Sequence, residues 1–196
     1  QSANGAGGYV LCKRCTWGIG ARGRPLRPCK RLCRQYTSCH RRQQQPQSVV
    51  LNRAVADTVA LLEFDAMSHH IEQRLDLESQ ELRVLADDSD LRMLVLNLVQ
   101  NAHHAMPQGG IVTVRTRLAG DKAQIEIVDT GCGIPEDALA RIFDPFFSRR
   151  ADGEGGTGLG LTICQSIVER YGGKIEVASV LAQGTTFRIT LPRAVE

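Results

Sequence analysis

The chain has 196 residues and a formal net charge of +3, from 24 Lys and Arg against 21 Asp and Glu. The charge is unevenly divided: residues 1–48 carry ten basic side chains and no acidic one, and residues 49–196 carry 14 basic and 21 acidic ones. This division excludes a basic nucleic-acid groove over the whole chain, and no apolar run approaches the ~18–20 residues that span a bilayer. Without a signal-peptide pattern at the start, we expect a cytoplasmic protein, or the cytoplasmic part of a membrane-spanning parent, with Cys132 and Cys164 reduced.

The first 48 residues form a basic segment that holds five of the seven cysteines. Four of them have a spacing close to that of a zinc ribbon and are candidate zinc ligands: Cys12, Cys15, Cys29 and Cys33, with Cys39 and His40 as alternates. A disordered basic tail and a stretch translated out of frame are the alternatives. Because the Gln-rich run Arg41–Gln47 is typical of a linker, we predict two parts, residues 1–48 and residues 49–196.

Apolar periodicity in residues 49–196 predicts helices and strands in mixed order. The clearest helix is Asp87–Met106, which Asp88, Ser89 or Asp90 can cap. The other predicted helices are one that Asn52 caps and that carries Val55, Val59, Leu62 and Ala66, then Pro135–Ile142 and Leu159–Tyr171. The predicted strands are Val49–Leu51, His70–Leu77, Leu82–Ala86, Ile111–Leu118, Lys122–Asp129, Lys174–Ser179 and Thr185–Leu191. Helices and hairpins interleave without a βαβαβ repeat, which predicts an α+β two-layer sandwich.

Three polar side chains share one face of the long helix. Asn97, Asn101 and His104 fall at positions i, i+4 and i+7, beside the apolar stripe. An amide oxygen can bind Mg²⁺, which takes few protein ligands and completes its shell with phosphate and water. The alternative is a polar face turned to solvent.

Asp129 lies at the end of a predicted strand, on the same face as Ile125 and Ile127. A carboxylate on an inward face is unfavourable unless a donor reaches it, and the exocyclic amine of a nucleobase is such a donor. Gly131 and Gly133 would let the backbone approach a flat ring. The alternative is a solvated Asp in a turn that ends the strand.

The run GEGGTGLGL, residues 153–161, opens a predicted helix and can present backbone N–H groups to phosphate. No Lys follows its last Gly, so it is not a Walker loop, and it does not open a βαβ unit, so it is not a Rossmann fingerprint. Taken alone, it could equally be a flexible loop.

The order of these motifs is more specific than any one of them. Five runs, LVLNLVQNAHHAMPQGG (94–110), DTGCGIP (129–135), IFDPFFS (142–148), GTGLGL (156–161) and GTTF (184–187), resemble the histidine-kinase catalytic and ATP-binding domain, with its four N, G1, F and G2 boxes in order. The resemblance covers about residues 49–192 and is strongest to the nitrogen-regulation and hybrid-sensor type. It implies the Bergerat ATP-binding fold of the GHKL superfamily, in which a mixed, mostly antiparallel sheet packs on helices, and it implies binding of ATP with Mg²⁺.

The resemblance also implies roles for individual residues. Asn101 matches the Asn that binds Mg²⁺, and Asn97 lies one turn before it. His104 stands near the phosphates, Asp129 matches the Asp that binds adenine N6, and Thr185 lies near the adenine. The further nucleotide contacts that it implies are Gly131, Gly133, Ile134, Phe143, Gly156, Thr157, Gly158, Leu159 and Gly160.

A lid over the nucleotide is implied at Ser148–Gly155, in which Arg149 or Arg150 would neutralise the γ-phosphate. The reaction is indicated by position 97. Gyrase-type ATPases and the related protein-serine kinases have a Glu there as a base, whereas Asn97 is not a base. A neutral imidazole can attack phosphorus without one, so the sequence favours transfer to histidine over hydrolysis.

No phosphoacceptor box is recognisable around the histidines, which are His40, His69, His70, His103 and His104. We therefore expect the chain to bind ATP without phosphorylating itself. Its expected partners are a separate phosphoacceptor histidine domain and a response regulator, in a parent kinase that is a homodimer, and no nucleic acid is expected for the main domain. A non-catalytic nucleotide-sensing module and a GHKL-type ATPase are the alternatives.

Overall fold

The computed structural model describes residues 47–147 and 157–194, which all belong to one structural unit, Gln44–Glu196. Its helices are α1 (Leu51–Ala60), α2 (Glu63–Ser68), α3 (Asp88–His104), α4 (Glu136–Leu139) and α5 (Gly160–Arg170). Its strands are β1 (Gln47–Val50), β2 (Ile71–Asp76), β3 (Arg83–Ala86), β4 (Gly110–Ala119), β5 (Lys122–Asp129), β6 (Lys174–Val180) and β7 (Gly184–Pro192). The candidate zinc ligands Cys12, Cys15, Cys29 and Cys33 lie outside the described residues, and the boundary at residue 48 stays a prediction.

Five strands form one sheet in the order β2–β4–β5–β7–β6. The β2–β4 pair is parallel and the other three pairs are antiparallel. Strands β1 and β3 form a separate antiparallel pair. Helix α3 packs between α1 and α5, and also contacts β5. The predicted α+β sandwich with a mixed, mostly antiparallel sheet is confirmed.

The core lies between the helices and the inward face of the sheet. Its central side chains have at most 2% of their surface exposed: Leu91, Leu94 and Leu98 of α3, Ile125 and Ile127 of β5, and Ile189 and Leu191 of β7. Burying one such side chain fully contributes about 1.5–3 kcal/mol. This layer holds α3 and β5 in fixed positions, and these two elements carry the polar residues that the sequence singled out.

The start of α3 differs from the prediction by one residue. Asp87, and not Asp88, Ser89 or Asp90, caps the helix: its backbone is extended and its side chain accepts a hydrogen bond from the Ser89 N–H at 2.9 Å. The Asp90 carboxylate instead accepts hydrogen bonds from Arg170 and Tyr171 of the α5 end, both at 2.7 Å. The helix ends at His104, two residues before the predicted Met106.

The predicted first helix is two helices, because the chain turns at Leu62 (φ −98°, ψ 4°) between α1 and α2. Leu62 and Ala66 stay buried across this break, which explains why the apolar spacing looked continuous. The prediction that Asn52 caps the helix is wrong, since Asn52 lies inside α1. Its side chain donates to the Glu78 C=O at 2.8 Å and accepts from the Thr116 hydroxyl at 2.8 Å.

The other element boundaries shift by small amounts. Leu51 begins α1 and does not end the first strand, and α4 is shorter than the predicted Pro135–Ile142, with Pro135 as its N-cap. The remaining strands and α5 start and end within one residue of the predicted positions. In the part of the chain that the structure describes, no helix combines the length and apolarity that a membrane crossing needs.

Candidate functional site

A cavity of about 400 Å³ opens between α3, the loop after β5 and the start of α5. Small-molecule sites have volumes of roughly 300–1,000 Å³, so the cavity is large enough for a ligand. The residues of the predicted site that line it are Asn97, Asn101, His104, Asp129, Gly133, Ile134, Thr157, Gly158, Gly160 and Thr185. Side chains from distant parts of the sequence therefore converge on one cavity.

Three other predicted residues do not line this cavity. Gly131 packs against the end of α3, where an added Cβ would lie 2.6 Å from the Ala105 C=O. The Phe143 C=O accepts a hydrogen bond from the Thr162 hydroxyl at 3.0 Å, and Leu159 is the N-cap residue of α5. These positions support the walls. Gly156 and the lid residues Arg149 and Arg150 lie outside the described residues.

The face of α3 that borders the cavity carries the predicted polar row. The Asn97 amide donates to the Met93 C=O at 3.0 Å, and its Oδ1 faces Gly160, where an added Cβ would lie 3.3 Å away. Asn101 follows one turn later and is half-buried, and His104 is exposed. The row thus runs from the start of α5 towards solvent.

Asp129 is buried at the end of β5, with 4% of its surface exposed. Its Oδ1 accepts hydrogen bonds from the Gly131 N–H at 2.8 Å and from the Thr185 N–H at 3.2 Å. Among residues 47–147 and 157–194 no donor reaches Oδ2. Burial raises the pKa of this carboxyl, although the two backbone hydrogen bonds act to lower it. The side chain is an acceptor that a ligand donor can satisfy.

A hydroxyl pair joins the loop after β5 to the β6–β7 hairpin. The Ser179 hydroxyl donates to the Gly184 C=O at 3.0 Å, accepts from the Ile134 N–H at 2.8 Å and lies 3.0 Å from the Thr185 hydroxyl. Gly133 has a φ of +69°, and a Cβ there would collide with the Val180 C=O. This contact fixes the loop that follows Asp129 at the cavity wall.

The opposite end of the cavity is formed by the start of α5. Gly158 has a φ of +66°, and an added Cβ would lie 2.6 Å from the carbonyl carbon of Phe146. The Phe146 N–H donates to the Gly158 C=O at 3.1 Å. The N-cap residue of α5, Leu159, makes no side-chain capping hydrogen bond, so among the described residues the N–H groups of the first turn are left for an anion.

For nine of the lining residues the sequence predicted no individual role, although all but Ala138 lie in the five runs quoted above. The additional lining residues are Gln100, Ala105, Cys132, Pro135, Ala138, Ile142, Phe147, Leu161 and Phe187. Most are apolar or small, so they carry no chemical signal in the sequence. Two positions could have been found: Gln100 lies one residue before Asn101 on α3, and Cys132 stands between Gly131 and Gly133.

The polar groups in the cavity suit Mg²⁺ that is also held by phosphate and water. They do not suit a metal ion whose ligands all come from the protein. In the described ranges no group of three or more His, Cys, Asp or Glu side chains is placed to bind a metal ion. Asn101 offers one neutral amide oxygen, which suits a hard cation whose other ligands are phosphate and water.

Comparison with known proteins gives consistent matches. Residues 86–195, more than half of the chain, match the family of histidine kinase-, DNA gyrase B- and HSP90-like ATPases. The chain is 40% identical over 147 residues to the sensor histidine kinase ZraS of Salmonella typhi, covering 74% of this chain and 31% of ZraS, so it spans about a third of that relative. The nucleotide-free catalytic domain of the histidine kinase ThkA matches with a TM-score of 0.68 and 30% identity, over 76% of this chain and 96% of that domain. ThkA in complex with the response regulator TrrA matches with a TM-score of 0.65 and 28% identity, over 76% of this chain and 42% of that one.

Proposed function

The chain belongs to the family of histidine kinase-, DNA gyrase B- and HSP90-like ATPases, as a sensor histidine-kinase catalytic domain, and on this premise we propose that it transfers the γ-phosphate of ATP to a histidine. The acceptor histidine belongs to a dimerisation and phosphoacceptor domain that is not recognisable in this chain. The residue at position 97 supports transfer to histidine over hydrolysis of ATP. A hydrolytic ATPase of this fold needs a base there, and Asn97 is an amide that donates to the Met93 C=O.

In this proposal the adenine lies against Asp129. Oδ2 accepts a hydrogen bond from the 6-amino group, while Oδ1 is held by the Gly131 and Thr185 N–H groups. The positive φ of Gly133 lets the backbone stand beside the ring. A carboxylate that two backbone donors already hold in place needs no rearrangement to read the base.

The triphosphate extends from the adenine towards α3 and α5. Asn101 holds Mg²⁺ through its amide oxygen, and Mg²⁺ supplies neutralisation of the phosphate charge. The uncapped N-terminus of α5, with Gly158 and Gly160, binds phosphate oxygens. His104 stands nearby on α3, and we keep Arg149 and Arg150 as candidates for the γ-phosphate.

The acceptor imidazole attacks the γ-phosphorus in its neutral form, through the nitrogen whose lone pair is free. An N–P bond forms as the bond from the γ-phosphorus to the bridging oxygen breaks, and ADP is the leaving group. The protein's contribution is therefore positioning and charge neutralisation. The partners follow from the relatives: a response regulator, as in the ThkA complex, and a second kinase subunit that shares the phosphoacceptor domain. The need for ATP supports a cytoplasmic location.

The test is to mix the full chain with a purified phosphoacceptor domain from a sensor histidine kinase and with γ-labelled ATP and Mg²⁺. We expect label on the acceptor domain, lost in acid and retained in alkali as a phosphohistidine is, and no label on the chain alone. Binding of ATP without transfer to any of several acceptor domains would favour the nucleotide-sensing module. Release of inorganic phosphate without an acceptor would favour the ATPase.

A further inference from the structure

Cys132 places a thiol at the wall of the nucleotide cavity. Its N–H donates to the Ala105 C=O at 2.9 Å and its C=O accepts from the Ala182 N–H at 2.8 Å, so both backbone groups are fixed. The residue is a free, exposed cysteine and lines the cavity. The function proposed above gives this side chain no role.

A second feature of the same cavity points to a ligand there. Asp129 lines the cavity and is 4% exposed, yet no donor from the described residues reaches its Oδ2. No fully buried side-chain oxygen lacks a partner in the described part of the chain, so Oδ2 is open to the cavity. A ligand that donates a hydrogen bond to Oδ2 of Asp129 would therefore occupy the cavity that Cys132, three residues further along the chain, also lines.

The second cysteine of the described residues is a natural control. Cys164 has none of its surface exposed, its Sγ lies 3.8 Å from the Leu94 C=O, and burial raises the pKa of its thiol to about 12. The thiolate is the reactive form, so Cys164 is protected both by exclusion of reagents and by its protonation.

We propose that Cys132 is a modification site for low-molecular-weight disulfides, and that the mixed disulfide formed there excludes nucleotide from the cavity. This inference rests on the proposed function, because it takes the cavity as the ATP site. It makes the ATP site of this chain sensitive to thiol oxidation, with bound nucleotide and thiol modification mutually exclusive.

The chemistry is a thiol–disulfide exchange. The Cys132 thiolate attacks one sulfur of the disulfide RS–SR, so that a new S–S bond forms and the original one breaks. The leaving thiolate takes up the proton that the Cys132 thiol released. Cys132 is oxidised, one half of the reagent is reduced to RSH, and a reducing thiol reverses the step.

The test treats the full chain with oxidised glutathione, with and without saturating Mg²⁺ and ATP. Modification is read by mass spectrometry of the tryptic peptide 123–141, in which Cys132 is the sole cysteine. We expect nucleotide to slow modification of Cys132 at least tenfold, while the cysteines of residues 1–48 react equally in both samples and Cys164 reacts in neither. Equal rates for Cys132 with and without nucleotide would overturn the proposal.

Affinity for a fluorescent ATP analogue is then measured before and after treatment, and again after dithiothreitol. Glutathionylation should weaken binding at least tenfold and reduction should restore it, whereas C132S should keep the same affinity through all three steps. Unchanged affinity of the modified chain overturns this inference alone. If the untreated chain binds no nucleotide, the proposed function fails and the inference fails with it.

Discussion

Nδ1 of His103 lies 2.7 Å from Oδ2 of Asp65, and this hydrogen bond joins the end of α3 to α2. His103 is 4% exposed, and its Nε2 lies 3.2 Å from the side-chain amide of Gln73 on β2. The imidazole is therefore held on both sides. Because Asn101 and His104 flank it, this pair also fixes the part of α3 that borders the cavity.

Replacing Asp65 by Ala should destabilise the domain by about 1–3 kcal/mol, because the buried imidazole loses its partner. Urea denaturation at pH 7 measures the change. The control is Glu63→Ala, an exposed position in the same helix, for which the change should stay within about 0.5 kcal/mol. Equal effects of the two substitutions would show that the pair contributes nothing specific.

The same pair predicts a pH dependence. The hydrogen bond with His103, together with nearby histidines, lowers the pKa of Asp65. A carboxylate whose pKa is lowered on folding stabilises the folded state above its unfolded pKa of about 3.9, and this contribution is lost as the pH falls through the folded value. The difference in unfolding free energy between the native chain and Asp65→Asn should therefore shrink as the pH falls from about 5 to below about 4. A difference that does not change over this range would contradict the assignment.

Asn101→Ala and Asn101→Asp should abolish transfer of phosphate from ATP to a supplied histidine domain, with a loss of at least about a hundredfold. The first variant removes the amide oxygen that we propose as the Mg²⁺ ligand, and the second replaces the amide by a carboxylate, which adds a negative charge beside the phosphates. Asn101 is half-buried and outside the core, so circular dichroism and the melting temperature should change little. Undiminished transfer by either variant would refute the role proposed for Asn101.

The substitution Asp129→Asn should weaken binding of ATP without lowering the stability of the domain. The pKa of Asp129 is raised by burial, so the ionised carboxylate disfavours the folded state increasingly as the pH rises through and above its unfolded pKa. At pH 7 the Asn variant should melt no lower than the native chain, since Oδ1 can still accept both N–H groups. Its affinity for ATP should fall about 10–100-fold, and the ratio of ATP to GTP affinity should fall as well. Retained preference for ATP would show that Asp129 does not read the base.

Two glycines with similar backbones differ in what surrounds them. Gly133 has a φ of +69° and an added Cβ would collide with the Val180 C=O, while Gly120 has a φ of +63° and nothing within 4 Å of an added Cβ. Gly120→Ala should cost about 1–2 kcal/mol from the left-handed backbone alone. Gly133→Ala should cost more, because Val180 must also move. Comparable urea midpoints for the two variants would show that the loop moves freely.

The parts of the fold that are set by local pattern were predictable. Period two places Asp129 inward with Ile125 and Ile127, and helical spacing places Asn97 and Asn101 on one face of α3. The predictions that were wrong concern residues whose hydrogen-bond partners are distant in the sequence. Asn52 is a good cap by composition, but it bonds Thr116, 64 residues away in the sequence, and Glu78, 26 residues away.

The same reasoning explains the incomplete site. A polar residue at an inward position, such as Asp129, is a signal in the sequence, whereas nothing in the sequence shows that an apolar residue such as Ala138 lines a cavity. The motifs predict nucleotide contacts for Gly131 and Phe143, neither of which lines the cavity, so these two contacts stay predictions. The cap of α3 was ambiguous because four consecutive residues, Asp87 to Asp90, can each accept a hydrogen bond.

The hydrogen bond between the Phe146 N–H and the Gly158 C=O holds the two ends of residues 147–157 together. Phe146 and Gly158 are therefore held together by their own backbone groups. The entropy of closing a loop grows only slowly with length, by about 0.6 kcal/mol for each doubling. Insertions or deletions between these two hydrogen-bonded residues should therefore cost the domain little stability.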